Sequence, residues 1–337
     1  ISSLIKSTIF KQFCGGETIA ECEKTIKQLY NGGVDTILDY SVEGEETEEA
    51  FDATCEEIIR IIKRADGDPR IPLTVFKPTG VGRFGLYEKL DAKIPLSNAE
   101  EIEFRKVRAR FDKICKTASN HGVPIMIDAE ETWIQDTIDD LAIEMMRKYN
   151  RAKLIVYNTY QLYRHDKLAS LKADIALAET DKFYMGAKLV RGAYMEKERK
   201  RAEERGYPSP IQPDKESTDR DYDEAVRYCL DHLENVGVVM GTHNEESCRL
   251  LVELLGDRDI LKNHPHVYFS QLLGMSDNLS FNLGDAGYNV VKYVPYGPVK
   301  SVMPYLFRRA QENTAVAGQT GRELSLIIKE KKRRRLR

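Results

Sequence analysis

Eight short apolar runs constrain the fold of this chain more than any other feature of its sequence. Each run is rich in Val, Ile, Leu, Tyr or Phe, and enough residues for a helix separate it from the next. Strands that alternate with helices indicate a parallel sheet, and eight such units indicate an α/β fold closed into a (βα)8 barrel. The predicted strands are Asp35–Val42, Pro72–Thr79, Pro124–Glu130, Lys153–Tyr160, Tyr184–Gly192, Val236–His243, Val267–Gly274 and Val290–Gly297.

The connecting segments are amphipathic, and they divide the chain into three parts. We predict an N-terminal helical segment (residues 1–34), a barrel domain (35–325) whose last helix covers the active rim, and a basic tail (326–337) that is either solvated or a contact for anionic lipid or nucleic acid. Two longer connections, Arg83–Glu100 and Glu196–Ser217, are candidate lids. The predicted helices are Thr18–Tyr30, Thr47–Arg64, Glu100–Asn120, Thr137–Tyr149, Lys167–Thr180, Ser217–Asn235 and Glu245–Leu255.

Composition excludes several classes of protein. The chain has 51 Lys and Arg against 54 Asp and Glu, and this balance argues against a general nucleic-acid-binding role. Its six cysteines form no C-x-x-C pair, which is typical of a reducing compartment. No apolar run approaches the roughly 20 residues of a membrane-spanning helix, and no signal-peptide pattern is present, so we expect a soluble or peripheral protein. The first residue is not Met, which leaves an upstream organellar targeting segment open.

The carboxyl ends of the predicted strands carry most of the chemically reactive side chains. In a barrel these ends meet at one rim, where active sites are built. This clustering is the main functional signal in the sequence. The residues are Lys77, Asp128, Glu130, Asn158, Lys188–Tyr194, Thr242, His243, Gln271 and Tyr293.

Lys77 and Lys188 lie inside otherwise apolar runs, where an uncompensated ammonium is costly to bury. Each therefore needs an anionic partner or a function, and Asp128 is the natural counter-charge on the same rim. Such a lysine either forms a Schiff base with a carbonyl substrate or offers positive charge to a carboxylate, a flavin or a phosphate. The residue pattern leaves these alternatives open.

The helix predicted after the eighth strand carries Tyr305, Arg308, Arg309 and Glu312 on one face, at i, i+3, i+4 and i+7. Glu312 supplies a partner for Arg308 one turn away, and the remaining guanidinium donors suit a bidentate grip on a substrate carboxylate. The alternative is a solvated, salt-bridged face. Together with the strand ends, this helix predicts a barrel enzyme that acts on a small anion.

Other motifs give little support to a different chemistry. Gly80–Gly85 matches G-x-G-x-x-G, but Arg83 and Phe84 give no clear helix start, so a plain glycine-rich loop is favoured over a dinucleotide site. His264 and His266 lack a nearby acidic or cysteine ligand, which favours a solvated loop over a metal site. No P-loop, zincin or α/β-hydrolase motif occurs.

Four motifs in combination resemble the proline dehydrogenase family: KLVRGAY at 188–194, GTHN at 241–244, YVPYG at 293–297 and YLFRRAQEN at 305–313. The resemblance covers nearly the whole chain. It implies a distorted barrel that holds FAD non-covalently and oxidises L-proline to 1-pyrroline-5-carboxylate, the first step of proline catabolism to glutamate. A hydride passes to flavin N5 and the electrons go on to a membrane quinone. The implied location is the cytoplasm, with peripheral contact at the inner membrane, on the mitochondrial matrix side in a eukaryote.

The resemblance also implies roles for individual residues. Lys77, Arg308 and Arg309 are expected to hold the proline carboxylate, with Asp128 orienting Lys77 and Glu312 steadying the arginines. Lys188 stands near flavin N5, where many members have Arg. Asp128 and Lys188 are the expected catalytic residues. The expected wall around the pyrrolidine ring is Tyr293, Tyr305 and Leu272. The expected cofactor-binding residues are Asn158, Lys188, Val190, Arg191, Gly192, Ala193, Tyr194, Thr242, His243 and Asn244.

The sequence also bears on the choice of substrate and on the alternative functions. Tyr293 is large, whereas a relative specialised for hydroxyproline is expected to be smaller there, so proline is preferred and hydroxyproline is the alternative. The chain ends soon after the eighth helix, which predicts a monofunctional enzyme without a fused aldehyde dehydrogenase module. The rivals are a Schiff-base lyase or aldolase that uses Lys77 or Lys188, and a non-catalytic anion-binding or membrane-docking protein.

Overall fold

Eight parallel strands form the centre of the molecule. A computed structural model describes residues 9–42, 44, 46–315, 325 and 328–334, and the side chains of residues 310–315 lie outside this description. The strands are hydrogen-bonded in the order β1-β8-β7-β6-β5-β4-β3-β2, so the first and last strands of the chain are neighbours. They are β1 (Asp35–Tyr40), β2 (Thr74–Phe76), β3 (Ile125–Ile127), β4 (Val156–Gln161), β5 (Met185–Val190), β6 (Val236–Gly241), β7 (Val267–Leu272) and β8 (Val290–Tyr296).

The predicted (βα)8 barrel is confirmed, and it is distorted where β1 meets β2. Closure there runs through the residues that precede β2, since Thr36 N donates to Arg70 O at 2.8 Å. All eight predicted strands are present, although β2 and β3 contain only three residues each. The residues that follow these two strands, Lys77 and Asp128, line a cavity above the sheet.

Helices cover the outside of the barrel, and the predicted helices are all present. They are α1 (Lys11–Phe13), α2 (Ile19–Asn31), α3 (Glu48–Ala65), α4 (Phe84–Asp91), α5 (Asn98–His121), α6 (Thr132–Tyr149), α7 (Lys167–Asp181), α8 (Met195–Arg205), α9 (Lys215–Asp231), α10 (Glu245–Asp257), α11 (Asp277–Asp285) and α12 (Met303–Ala315). In the tail, residues 328–333 are helical. Among the helices within the described ranges, none is both long and apolar enough to cross a membrane.

Both long connections contain a helix that packs on the rim. The expectation that Arg83 and Phe84 give no clear helix start is wrong, because α4 begins at Phe84 after a short 3-10 turn. Tyr87 explains this start, since its buried ring anchors the helix and its hydroxyl donates to Pro78 O at 3.0 Å. In the second connection, the buried Glu198 of α8 accepts from Thr132 N at 2.8 Å and so caps α6.

The barrel interior is apolar at the bottom and polar at the top. Side chains alternate along each strand, so one face packs inside the barrel and the other packs against the helices. The apolar layers end below the rim and form a floor on which polar groups stand. The interior cluster is Ile37, Leu73, Val75, Met126, Leu154, Tyr157, Val239, Val291 and Tyr293.

Candidate active site

A cavity of about 530 Å³ opens at the carboxyl ends of the strands. Its walls contain every predicted site residue except Asn158 and Glu312. Glu312 lies in α12, but its side chain falls outside the described part of the chain. The lining residues are Asp39, Lys77, Asp128, Ala129, Thr159, Gln161, Lys188, Val190, Arg191, Gly192, Ala193, Tyr194, Lys215, Gly241, Thr242, His243, Asn244, Ser270, Gln271, Leu272, Tyr293, Tyr305, Arg308 and Arg309.

Four charged side chains of alternating sign stand at the bottom of this cavity. Asp39 lies in β1 and Lys188 in β5, whereas Lys77 and Asp128 directly follow β2 and β3. Lys188 contacts Asp128, and the charges of both lysines act on Asp39. Opposite charges at short range stabilise one another in a site of low dielectric constant. This arrangement lets the barrel hold two ammonium groups without a net charge on its floor.

Asp128, Lys188 and Tyr293 form a closed hydrogen-bonded triangle. Asp128 Oδ1 accepts from Lys188 Nζ at 2.6 Å and from the Tyr293 hydroxyl at 2.9 Å. Lys188 Nζ also donates to the Tyr293 oxygen at 2.7 Å and lies 4.4 Å from the ring centre. Burial and the nearby carboxylate raise the pKa of Tyr293 well above its ordinary value. Asp128 and Lys77 line the same cavity, and the role of Asp128 in orienting Lys77 stays a prediction.

Asp39 is a cavity residue that sequence reasoning missed. Its side chain is only 3% exposed, and one carboxylate oxygen accepts from the Ser41 hydroxyl. The other oxygen, Oδ1, has no hydrogen-bond partner among the residues that the structure describes. Burial raises the pKa of Asp39, and the positive charge of Lys77 opposes that rise. The available signal was its position near the end of the first strand, two residues after the inward-facing Ile37.

Asn158 does not line the cavity, which corrects its predicted role as a flavin contact. Its amide faces the helices and donates to Asp139 of α6 at 2.9 Å. Gln161, three positions further along β4, faces the cavity instead. The reason is the two-residue period of a strand, since positions separated by an odd number lie on opposite faces. Gln161 Nε2 donates to Glu130 O at 2.9 Å, and within the described ranges its Oε1 is buried without a partner.

The predicted arginine pair projects from α12 over the cavity. Arg309 is 7% exposed and lies 5.3 Å from the Tyr305 ring centre, whereas Arg308 is half-buried and lies 5.9 Å from that of Tyr194. The alternative of a solvated face is therefore wrong for Arg309. Leu272 packs against the cluster that contains Tyr305 and against the interior cluster, so it completes an apolar wall beside the cations.

The far half of the cavity is built by β5, β6 and the start of α10. Arg191 donates to Thr242 Oγ1 at 2.7 Å and to Ser247 Oγ at 3.0 Å, and its guanidinium stacks on Tyr222 at 4.2 Å. Asn244 caps α10, whose N-terminus favours negative charge. Cationic side chains and a helix N-terminus are the groups that bind phosphates.

Two further positions shape this half. Burial lowers the pKa of His243 to about 3, with Lys292 and Arg309 adding to the effect, so its imidazole is neutral at pH 7. Its Nδ1 atom lies 3.0 Å from Ser276 Oγ. Gly192 has φ 138°, and a Cβ there would collide with the Tyr163 ring, so only glycine fits.

The described residues contain no group of three or more His, Cys, Asp or Glu side chains placed to hold a metal ion. The fold and the cavity define an α/β-barrel protein with a cationic, partly aromatic pocket joined to a phosphate-compatible groove. The family model described as Proline dehydrogenase matches residues 22–322. The chain therefore belongs to the proline dehydrogenase family, as its motifs predicted, and membership implies a flavin cofactor.

Curated relatives agree with this assignment. The chain is 34% identical to "Proline dehydrogenase 1, mitochondrial" of Dictyostelium discoideum over 99% of this chain and 66% of that protein. It is 43% identical to the human protein of the same name over 70% of this chain and 40% of that one. It is also 34% identical to "Carbapenem antibiotics biosynthesis protein CarD" of Pectobacterium carotovorum, over 98% of this chain and 85% of that protein. The chain thus spans two-thirds or less of the length of the two proline dehydrogenases.

Solved structures confirm the fold. Proline utilization A from Bdellovibrio bacteriovorus, inactivated by N-propargylglycine, superposes with a TM-score of 0.82 over 94% of this chain and 34% of that one, at 21% identity. A Bradyrhizobium japonicum proline utilization A variant superposes with a TM-score of 0.75 over 91% of this chain and 31% of that one, at 21% identity.

Proposed function

We propose that this chain catalyses the FAD-dependent oxidation of L-proline to 1-pyrroline-5-carboxylate. The observation that carries the proposal is the juxtaposition of three cations, Lys77, Arg308 and Arg309, with an apolar wall in one cavity. A small cyclic amino acid presents a carboxylate to such cations and an apolar ring to such a wall. Family membership supports the same substrate.

The cations hold and orient the substrate. Planar guanidinium groups pair with a carboxylate through two parallel hydrogen bonds, which fixes both position and direction. Tyr293, Tyr305 and Leu272 line the same cavity, so in this proposal they confine the ring. Hydride transfer depends on such placement more than on an acid–base pair.

The residues of the far half fit a flavin nucleotide. The buried Gln161 Oε1, which lacks a donor within the described part of the chain, faces the cavity and suits the N–H donor of a flavin ring edge. Arg191, Thr242 and the α10 N-terminus suit its phosphates. In this proposal Lys188, Val190, Gly192, Ala193, Tyr194, His243 and Asn244 complete the contacts. The chemistry that FAD supplies when bound is acceptance of a hydride at N5.

The Asp128–Lys188–Tyr293 triangle holds the Lys188 ammonium in a fixed position next to the proposed ring of the cofactor, with its charge balanced by Asp128. The ion pair keeps Lys188 in one orientation, and the Tyr293 ring excludes water from one side of the pocket. Two of the three N–H donors of the Lys188 ammonium are engaged by oxygen atoms of Asp128 and Tyr293. A Schiff-base nucleophile must present a free lone pair, so this geometry favours the redox function over the lyase or aldolase alternative.

The remaining features of the proposal concern partners. We propose that the electrons pass to a quinone and that the enzyme makes peripheral contact with a membrane. In a eukaryote the mitochondrial names of several relatives favour the matrix. No nucleic-acid partner is proposed, since the net charge is −3. Tyr293 favours proline over hydroxyproline because its ring occupies the wall where an extra hydroxyl would lie.

An absorption spectrum tests the proposal. The purified chain is saturated with FAD, desalted and mixed anaerobically with L-proline or, separately, with hydroxyproline. We expect retained visible flavin absorbance that bleaches with proline and responds less to hydroxyproline. A colourless protein would contradict the cofactor assignment, and bound flavin indifferent to both compounds would contradict the substrate.

A further inference from the structure

A fully buried lysine lies beside the substrate wall but outside the cavity. Lys292 is 0% exposed and directly precedes Tyr293 in β8. Because side chains alternate along a strand, Tyr293 faces the barrel interior, whereas Lys292 faces the helices and the connection between β7 and α11. An ammonium at that depth needs acceptors to offset its desolvation, so its contacts reveal what it holds in place.

The Lys292 ammonium binds three oxygen atoms between the end of β7 and the start of α11. Nζ donates to the backbone carbonyl of Leu272 at 3.2 Å and to that of Met275, and it pairs with Asp277 Oδ1 at 2.8 Å. Within this connection, Gly274 has φ 76°, and a side chain there would collide with the backbone of the N-terminal segment. Leu272 is the last residue of β7, and Leu273 N donates to Tyr293 O of β8 at 2.9 Å. The lysine therefore adds a side-chain tie between β8 and the tightly packed turn of residues 272–276.

This turn positions two parts of the candidate site. The Leu272 side chain packs between the cluster that contains Tyr293 and the cluster that contains Tyr305. Ser276, at the left-handed φ of 51°, places its hydroxyl 3.0 Å from His243 Nδ1. One buried cation thus controls the backbone from which both side chains project.

We propose that Lys292 is a positioning residue that fixes how far Leu272 projects into the pocket and so sets the size of ring substituent that the enzyme accepts. The inference rests on the proposed oxidation of proline. Without the side-chain tie, the residues after Leu272 lose an anchor while the backbone bond from Leu273 to β8 remains, and the Leu272 side chain can shift within the wall between the two tyrosines. A ring with an extra hydroxyl then gains room, while a plain pyrrolidine ring is held less closely.

The test compares Lys292→Met with the wild-type enzyme, both loaded with FAD. Methionine has a similar length but no charge. The binding readout is the Kd of tetrahydro-2-furoic acid, a proline isostere with oxygen in place of the ring nitrogen, from the change in flavin absorbance. The kinetic readouts are kcat and KM for L-proline and for trans-4-hydroxy-L-proline. We expect the Kd and the KM for proline to rise about tenfold, kcat to change less than about twofold, and the preference for proline to fall about tenfold.

Two control variants separate positioning from loss of stability. Asp277→Asn removes the exposed ion-pair partner but leaves both carbonyl contacts, so its substrate preference should equal that of the wild type. Ile175→Ala makes a cavity in α7, remote from the turn, and should lower Tm without changing preference. An unchanged preference in Lys292→Met would overturn the proposal.

A second lysine variant keeps the proposal testable if Lys292→Met does not fold. Lys292→Gln retains a neutral donor that reaches one carbonyl, so it should show a smaller shift in the same direction, and an unchanged preference would overturn the proposal. The wild-type enzyme distinguishes failure of the proposed function from failure of the role given to Lys292. If proline does not bleach the flavin of the wild type, the proposed function fails. If the wild type reacts with proline but the Lys292 variants keep its substrate preference, only the role of Lys292 is refuted.

Discussion

Asp128 and Tyr293 lie 165 residues apart in the chain and share a 2.9 Å hydrogen bond at the bottom of the cavity. Lys188 binds both, so a carboxylate from β3, an ammonium from β5 and a phenol from β8 hold one another in fixed orientations. Buried polar groups that satisfy each other in this way are stiff, because breaking one contact leaves the others unpaired. The triangle therefore gives the proposed substrate pocket a rigid, charged base.

Replacing Tyr293 with Phe tests that stiffness. The ring wall remains, but the Asp128 and Lys188 contacts of the hydroxyl are lost, and we expect kcat/KM for proline to fall about tenfold, or about 1.4 kcal/mol. Tyr296→Phe is the matched control on the same strand, because its hydroxyl donates to Glu57 at 2.6 Å outside the cavity. Equal activity of Tyr293→Phe and the wild type would refute a role for the triangle.

The arginine pair predicts a separation of substrate binding from cofactor binding. We expect Arg309→Ala to raise the KM for proline about a hundredfold while FAD stays bound, since the proposed pair between the Arg309 guanidinium and the proline carboxylate is lost. Arg309→Lys should recover only part of the affinity because the planar fork is absent. Steady-state kinetics and flavin content after desalting measure both effects, with Arg258→Ala, a surface ion pair, as control. Equal loss of flavin and proline would indicate a structural role instead.

Gln161 and Asn158 form a matched pair on opposite faces of one strand. We expect Gln161→Leu to weaken FAD binding about tenfold, by loss of a hydrogen bond to the ring, and to lower the Tm because its bond to Glu130 O is lost. Asn158→Leu should lower the Tm but leave FAD affinity unchanged, because its amide supports Asp139 rather than the cavity. Fluorescence titration and thermal unfolding distinguish the two, and an equal effect of both variants on FAD affinity would refute the assignment of faces.

Glu130 predicts a dependence of stability on pH. Burial, with the nearby Glu131 charge, raises the pKa of Glu130 to about 7, while the hydrogen bonds from Thr79 oppose the rise. A carboxyl whose folded pKa is raised contributes stability below its unfolded pKa, and that contribution is lost as pH rises through the folded pKa. We expect the free energy of unfolding to lose up to about 3 kcal/mol from this group between pH 5 and 8.

Glu130→Gln isolates this contribution. The amide keeps one acceptor for Thr79 N and does not ionise. The free energy of unfolding of the variant should therefore rise relative to that of the wild type as pH rises. Denaturant unfolding at pH 5, 6, 7 and 8 measures the difference. Parallel curves for the two proteins would contradict the assigned titration.

Much of the fold and part of the site were predictable from local patterns. Eight apolar runs with helical spacers predict the barrel because each strand and helix must bury one face. The spacing from Tyr305 to Arg309 predicts their common helix face, since it depends only on helical geometry. Glu312 shares that spacing, but its side chain lies outside the described residues. The start of α4 at Phe84 was not predictable in this way, because a tertiary contact of Tyr87 decides it.

The sequence by itself determined the number of strands, their order along the chain and the rim on which the reactive residues meet, because these follow from periodicity and chain direction. Only the tertiary structure decided which side chains enter the cavity and which partners they take. Strand register placed Gln161 inside and Asn158 outside, directed the Oδ1 hydrogen bonds of Asp128 to Lys188 and Tyr293, and buried Asp39 and Lys292. The physical reason is that these contacts join residues far apart in sequence, whose distances exist only once the barrel has closed.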